Sequence, residues 1–506
     1  MAAAGRGEQR FPRLLIDRPE LPLAAVLALG AAVASVYAVL ALLFGWELFI
    51  GEGENLSFAH SLAHDGSLYV DWSDRDLLFP AYAPGFYAAV APLTWIAGHD
   101  PWAGRLVSLA AVAVAAFAAA RIARRLGCGP GLSLVAGLAL FSLPAGSRVL
   151  YAARPDGLVL GLSALALLWA TAWEDSRQRS DLALAAAASV AVLLTKQNFA
   201  PLVLAILVAV WLRERHTAVW FAAVVAAATV VIAALVELLS SGAFTSNLRD
   251  FAGTGYSYQA LEGVFRGFVL PFPNPLIAVA AVEAVIRLAD WRRARAIAFA
   301  WIAGLLVVVS AIKVGSSDNY LLLLSLVSAI LAPLGLARLR AAAGGRVAAA
   351  TAAALALMLA PGAIDAADGI PEAPHEFSDR GSANQRAADA IEARGGSLFG
   401  DRADLAVASG RKPAFDAINY SLLARNDRWD PGPVARRIRR AGFDTLQSST
   451  DLLAGPSDWP AELQRAARDR YCEFARFPLD EDGFFAEQGI FSYTGVWLYR
   501  PCPASR

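Results

Sequence analysis

Glu52 and Glu54 stand two residues apart, just after the first long apolar run of a 506-residue chain. Arg154 and Asp156 fall between two later runs, Lys196 and Gln197 between two more, and Lys313, Asp318 and Asn319 between another pair. Two of the chain's three lysines are in this small set. A carboxylate can take the proton of a hydroxyl as it attacks, and fixed cations stabilise the charge that a leaving phosphate gains. Carboxylates and cations gathered at one membrane edge therefore suit a lipid phosphate held beside a general base. A single charge at an interface is often a snorkelling anchor. The grouping carries the reading.

The elements that must position these residues are membrane helices. Hydrophobic residues make up 57% of the chain and charged residues 17%, against about 45–50% (glycine included) and about 25% in soluble chains. A cytosolic enzyme, a nucleic-acid binder and a disordered scaffold are excluded on that ground. The first run, from Leu21 to Trp46, is uncharged and follows Arg6, Arg10, Arg13 and Arg18. It exceeds the roughly 7–15 apolar residues of a signal peptide, so it reads as a retained anchor. Further runs lie near 102–120, 131–147, 157–173, 182–195, 198–212, 217–240, 274–290, 296–312, 319–337 and 347–363. With the first they make about eleven, each near the roughly 17–25 residues that cross a bilayer. Tyr82 to Gly98 is short and broken by Pro84 and Pro92, which predicts a helix on or dipping into the membrane surface.

The positive-inside rule supports that count. With an inside N-terminus, eighteen basic residues against eight acidic fall in the inner loops, including Arg121, Arg124, Arg125, Arg287, Arg292 and Arg295. Counting Tyr82–Gly98 as a span would put these clusters outside. The formal net charge of +0 then conceals a basic inner face and an acidic outer one. Every polar residue named in the first paragraph falls on the outer face.

An odd number of spans also puts the region after about residue 364 outside. The predicted organisation is a transmembrane part, 1–363, with a large first outer loop at 47–101 carrying surface helices, and a small soluble α/β domain, 364–506. In that domain, strand-like runs at Ser397–Phe399, Phe443–Leu446, Tyr471–Phe477 and Val496–Tyr499 alternate with helical stretches at Gln385–Ala393 and Pro433–Ala441. Cys472 and Cys502 both fall there; a disulfide and two free thiols are both open readings. Arginine outnumbers lysine 41 to 3, which suggests GC-rich bacterial coding and a plasma-membrane location. In the first outer loop, His60 and His64 share a helix face and could hold a metal with a carboxylate, although interfacial histidines are commoner. Asp74 and Asp76 read as a solvated charge cluster.

The chain resembles the C-type superfamily of integral-membrane glycosyltransferases, near the protein O-mannosyltransferase and aminoarabinose-transferase-like branch. The resemblance rests on Glu52 and Glu54 after the first span, the stretch from Ala59 through Gly66 and Tyr69 to Asp71, and Tyr82, Ala83, Pro84 and Gly85. Later come Gly104, Arg105 and Leu106; Arg154, Pro155, Asp156 and Gly157; Thr195, Lys196 and Gln197; and Asp318, Asn319 and Tyr320. Gly400 to Asp404, Ser409 to Arg411, and Trp429 with Asp430 are similar to the outer domain of such bacterial proteins. The resemblance implies a mainly α, polytopic enzyme that takes a polyprenyl-phosphate sugar as donor and works beside membrane lipid. Transfer to a glycan, lipid or protein acceptor at the outer face, with inversion, is implied as well. An acidic residue of the first outer loop would be general base: Glu52 by first choice, Glu54 by second. Arg154, Lys196 and Lys313 would bind the donor phosphate, and Tyr82, Asp156, Gln197 and Asn319 would contact substrate.

The chain also departs from that pattern. Many relatives have Asp at the base position, and the aminoarabinose branch has Lys-Pro-Pro-Leu where this chain has Tyr82 to Gly85. Its phosphate-binding lysine has no counterpart at that position. Some superfamily members need a divalent metal, which Glu52 and Glu54 could bind; no cofactor is required by the sequence. Three other readings stand beside this one. A secondary transporter would use Glu283, inside a span, although the sequence carries no internal repeat. A lipid-linked glycan polymerase or ligase would use the same kind of donor, and an inactive assembly subunit would use none.

Overall fold

The computed structural model describes residues 18–49, 51–70, 77–78, 80–142, 148–252, 255–264, 274–292, 295–314, 318–454, 457–478 and 495–503. Asp71, Asp74, Arg75 and Asp76 lie outside them. The first apolar run forms α1 (Leu21–Leu43), followed by α2 (Glu52–His64) and α3 (Gly85–Ala97). Next come α4 (Trp102–Arg125), α5 (Pro130–Ser142), α6 (Pro155–Ser176), α7 (Arg179–Thr195), α8 (Ala200–Arg213) and α9 (Arg215–Leu239). Short α10 (Ala243–Ala252) and α11 (Tyr258–Val264) precede α12 (Asn274–Ala289), α13 (Ala296–Val309), α14 (Leu322–Ala343) and α15 (Gly345–Asp368).

The described part of each of the eleven apolar runs is largely helical, and among the described residues six helices are long and apolar enough to cross a membrane: α1, α4, α6, α9, α14 with its lead-in from Asn319, and α15. The remaining runs form shorter helices. The described part of α5 is 13 residues, a rise of about 20 Å, and positions 143–147 of its run lie outside the described residues. At α3 the same length ends in exposed Trp95 and Ile96, while Phe86, Tyr87 and Val90 are buried. That helix lies against the bundle with its apolar rim outward, as an interfacial helix does.

Close packing uses small residues. A Cβ on Gly157 would meet the Ser108 carbonyl at 2.7 Å, and one on Gly161 would meet the Ala111 carbonyl at 2.6 Å. This four-residue spacing lets α6 press directly on the backbone of α4. Helix α14 is buried along most of its length, whereas α9 exposes Val219, Val230 and Leu238. An apolar face without protein cover suits lipid.

At the end of the bundle remote from Asp156, Glu174 pairs with Arg213 at 3.2 Å and Arg295 at 3.0 Å. Glu283 pairs with Arg287 at 2.6 Å and Arg338 at 2.7 Å. Glu283 therefore belongs to a helix-tying ion cluster near the last turn of α12, which removes the residue that best supported a transporter. Glu237 accepts from the Thr245 N–H at 2.8 Å and caps α10.

After α15 the chain forms α16 (Ala373–Arg394), β1 (Leu398–Gly400), α17 (Ala403–Ala408), α18 (Ala417–Arg425), α19 (Gly432–Arg439), β2 (Thr445–Ser448), α20 (Ala461–Arg470), β3 (Tyr471–Pro478) and β4 (Gly495–Pro501). The sheet order is β1-β2-β4-β3; β1 and β2 are parallel and the other pairs antiparallel. Phe399, Phe415, Trp459, Tyr471 and Tyr499 form its aromatic core. Cys472 and Cys502 are disulfide-bonded, tying the start of β3 to the end of β4. Leu77 of the first outer loop bridges to Phe415, so this α/β region sits on the segment that carries Glu52 and Glu54.

Candidate active site

The segment after α1 is fixed by one arginine. Arg105, three residues into α4, is fully buried, and each of its N–H groups has a partner. Its Nη1 donates to the carbonyls of Ala41 (2.6 Å) and Phe44 (2.5 Å), and its Nη2 to that of Trp46 (2.6 Å). These are the orphan carbonyls at the end of α1 and just beyond, which a cation satisfies well. The remaining N–H groups form a two-pronged contact with Glu52: Nε to Oε1 at 2.9 Å and Nη2 to Oε2 at 2.7 Å.

Glu52 is likewise fully buried. Besides Arg105 it accepts from the N–H groups of Leu48 (2.6 Å), Phe49 (3.2 Å) and Ala153 (2.5 Å). Five donors converge on two oxygens, so no lone pair is left for an incoming proton or cation. Glu52 and Glu54 therefore do not fit together as a metal site. Among the described residues no group of three or more His, Cys, Asp or Glu is arranged to hold a metal ion. His60 stacks on His64 and on His99, each at 4.0 Å between ring centroids, which turns the rings face to face instead of aiming their nitrogens at a common point.

Glu54 differs. Two residues on along a helix, it points about 200° away from Glu52 and is half-buried. Among the described residues its carboxylate has no hydrogen bond or ion pair. Burial pushes its pKa well above the usual carboxylate range, with the charges of Asp416, Glu47 and Asp401 acting in the same direction and Arg154 against them. A carboxylate so placed is a stronger base than an exposed one. Gly51 adjoins it in a left-handed conformation (φ 88°). A Cβ there would lie 3.0 Å from Glu54 Oε2 and 3.7 Å from Arg154 Nη1, so the glycine leaves open the space between carboxylate and guanidinium.

The cations gather on one aspartate. Asp156, in the first turn of α6, is fully buried and pairs with both Arg154 (3.3 Å) and Lys196. Arg154 Nη2 also donates to the Tyr82 hydroxyl at 3.1 Å, and its guanidinium stands over Phe49. Lys196 Nζ lies 5.6 Å from the Tyr82 ring centroid and 5.8 Å from that of Tyr320. Burial acts to lower the pKa of both Arg154 and Lys196, but Tyr82 and Asp156 together outweigh it and raise both. Where the aminoarabinose branch has a lysine in its Lys-Pro-Pro-Leu sequence, this chain has a tyrosine around which two cations from other loops collect.

Lys313 comes from another loop, which bridges to Tyr256. Its Nζ stands 3.2 Å above the Phe251 ring, and its loop is held by hydrogen bonds from Ser257 N to Ile312 O (2.7 Å) and from Val314 N to Gly255 O (3.0 Å). Burial, with help from the charge of Lys196, lowers its pKa to about 7. Arg154 and Lys196 share Asp156, and Lys313 lies close enough to Lys196 to feel its charge, so the cluster suits a bound anion.

Of the other expected contacts, Gln197 is exposed. Asn319 is 5% exposed, and its Oδ1 has no partner among the described residues. Sequence reading gave no role to Arg105, Asp416, Phe251 or Tyr320. Arg105 had a signal, since a charge inside an apolar run is usually paired. Asp416 had none; it approaches Glu54 only through the fold.

A family model described as dolichyl-phosphate-mannose-protein mannosyltransferase matches residues 81–239, which include Tyr82, Arg105, Arg154, Asp156 and Lys196. No curated protein matches the sequence significantly. The fold is similar to that of ArnT from Cupriavidus metallidurans in the apo state: TM-score 0.56, 13% identity, 92% of this chain and 97% of that chain covered. It is also similar to ArnT from the same organism bound to undecaprenyl phosphate: TM-score 0.58, 14% identity, 93% of this chain and 97% of that chain. Residues 81–239 thus match the mannosyltransferase family model, about nine-tenths of the chain shares the ArnT fold, and six helices among the described residues are long and apolar enough to cross a membrane.

Proposed function

We propose that the protein transfers a sugar from a polyprenyl-phosphate donor to an acceptor hydroxyl, with Glu54 as general base. The observation that carries this reading is the pairing of a half-buried carboxylate, with no hydrogen bond or ion pair among the described residues, with a buried cluster of cations, separated by the side chain that Gly51 lacks. Glu54 takes the acceptor proton as the oxygen attacks the anomeric carbon from the face opposite the phosphate. The bond from that carbon to the phosphate oxygen breaks, and the polyprenyl phosphate leaves with the electron pair. Arg154, Lys196 and Lys313 neutralise the charge that grows on it. The configuration at the anomeric carbon inverts.

Asp156 orients Arg154 and Lys196, Tyr82 positions the Arg154 guanidinium, and Asn319 offers an acceptor to a sugar hydroxyl. Gln197 would reach substrate only from the rim. Undecaprenyl phosphate bound to the similar ArnT structure supports a phosphate-bearing polyprenyl donor here. Glycan, lipid and protein remain the acceptor classes.

In this reading the chain lies in a bacterial plasma membrane with eleven crossings over residues 1–363, a cytoplasmic N-terminus and an extracytoplasmic α/β domain over 364–506. The disulfide between Cys472 and Cys502 supports an oxidising outer compartment for that domain, and the basic loops at the other end support the orientation.

The test is turnover of polyprenyl-phosphate sugars by the purified protein, comparing wild type with Glu54→Gln. Loss of about 10²–10⁴-fold in rate is expected for removal of a general base, with donor binding retained. Equal turnover by the two would refute the assignment. A polymeric product from a lipid-linked glycan would move the reaction to the polymerase or ligase class, and solute uptake into proteoliposomes without donor consumption would favour a transporter.

A further inference from the structure

We infer that Arg402 of the C-terminal α/β domain is a positioning residue that holds the start of α2, and with it Glu54, in register with the cation cluster. The inference rests on Glu54 being the base. Arg402 follows β1 and is 1% exposed. Its Nε and Nη2 grip Asp404 at 2.9 and 2.6 Å, Nη2 also donates to Asn384 Oδ1 on α16 at 3.4 Å, and its backbone N–H donates to Gln447 Oε1 at 2.9 Å. The guanidinium is thereby fixed to the sheet and to α16.

From there two links reach α2. Asp404 Oδ2 accepts from the Glu47 N–H at 3.0 Å, and Arg402 Nε lies 3.7 Å from Glu47 Oε2. Glu47, 3% exposed, then accepts from the Gly53 N–H at 2.6 Å through its other oxygen. Gly53 is the second residue of α2 and the neighbour of Glu54. It also touches the α/β region directly: a Cβ on Gly53 would run into Glu47 Oε1 and lie 2.9 Å from both Ala403 Cβ and Asp404 N.

Arg402 thus reaches α2 through Asp404 and Glu47. Its effect on α2 passes through Glu47, a buried carboxylate that accepts an N–H of the first turn and faces the Arg402 guanidinium. Without the guanidinium, Asp404 and Glu47 are no longer held by Arg402, and the first turn of α2 would lose its fixed placement. A displacement of about 1 Å at a reacting group costs on the order of 10²-fold in rate. The α/β domain therefore completes the active site and does not serve only as a docking platform for the acceptor.

The experiment uses the full chain in detergent, with Arg402→Gln, Arg402→Lys and Gly53→Ala. Each is measured for kcat, donor KM, the pH profile of kcat, melting temperature and amide hydrogen exchange over residues 47–56. The expected result for Arg402→Gln is a fall in kcat on the order of 10²-fold, nearly unchanged donor KM, a shifted acid limb and faster exchange at the Gly53 amide. Arg402→Lys, which keeps the charge but not the fork, should recover part of kcat. Gly53→Ala should reproduce the kcat loss from the other side of the contact.

Folded Arg402 variants with wild-type kcat, pH profile and exchange would overturn the inference, as would a loss confined to melting temperature. Should Arg402→Gln not fold, Arg402→Lys and Gly53→Ala decide on the same readouts. If Glu54→Gln itself leaves turnover intact, the base assignment fails. If Glu54→Gln abolishes turnover while the Arg402 variants keep it, only the positioning role fails.

Discussion

Glu52→Gln and Glu54→Gln should have opposite phenotypes, although the two residues are separated by a single glycine. Glu52 is fully buried, and five N–H groups point at its oxygens. An amide supplies one acceptor oxygen and turns the other position into a donor facing donors. It also leaves the buried Arg105 without a counter-charge, opposed only by the carbonyls of Ala41, Phe44 and Trp46. Breaking a buried pair from one side costs about 3–5 kcal/mol. At about 1.4 kcal/mol per factor of ten, the ratio of folded to unfolded protein falls roughly 10²–10⁴-fold. Whatever remains folded keeps Glu54 and the cations, so its kcat stays within a fewfold of wild type.

Glu54 has no hydrogen bond to lose among the described residues and sits among like charges, Asp416 and Glu47 foremost. Glu54→Gln should leave the melting temperature unchanged or raise it slightly, while turnover falls about 10²–10⁴-fold. The assay is a thermal unfolding curve in detergent beside turnover measured well below the midpoint. A third variant sharpens it. Replacing the pair by Glu52→Leu with Arg105→Met removes both charges and should recover part of the lost stability. It cannot recover all of it, because the N–H groups of Leu48, Phe49 and Ala153 lose their acceptor. If Glu52→Gln melts like wild type and abolishes turnover, Glu52 is the base and the reasoning from saturation is wrong.

Three further outcomes follow from the same geometry. The rate at limiting donor should rise with pH as Glu54 loses its proton, at a pH above the usual carboxylate range, and fall as Lys313 loses its charge near pH 7. Lys313→Arg keeps the charge throughout and should move the alkaline limb upward, whereas an unmoved limb would remove Lys313 from the donor site. Gly51→Ala places a methyl between Glu54 and Arg154 at φ 88°. It should reduce turnover at least about tenfold, well within what misplacing a reacting group by about 1 Å costs, and normal turnover would show that the gap is not the reacting space. Reduction of the bond between Cys472 and Cys502, or Cys472→Ser with Cys502→Ser, should cost the α/β domain about 2–4 kcal/mol; the check is a lower melting temperature with turnover preserved below it.

Helix geometry explains what the sequence could reveal of this site and what it could not. The helices were legible because uninterrupted apolar runs leave a chain in lipid no other way to satisfy its backbone, and the polar residues at their ends were legible as exceptions to those runs. Among the described residues six helices are long and apolar enough to span, and the other apolar runs form helices of 13 to 17 residues. The order of preference between Glu52 and Glu54 was not legible, since it depends on which side of α2 faces Arg105, a residue 53 positions away. Yet one constraint was already in the spacing. Residues two apart on an α-helix point about 200° from each other, so once α2 is helical its two glutamates cannot serve a single site. One must face the anchor formed by α1 and α4, and the other the cleft beside Arg154. The positive charge that separates the roles is Arg105, visible from the start as a lone arginine inside an apolar run, and a buried charge of that kind needs a carboxylate partner before any catalyst can claim it.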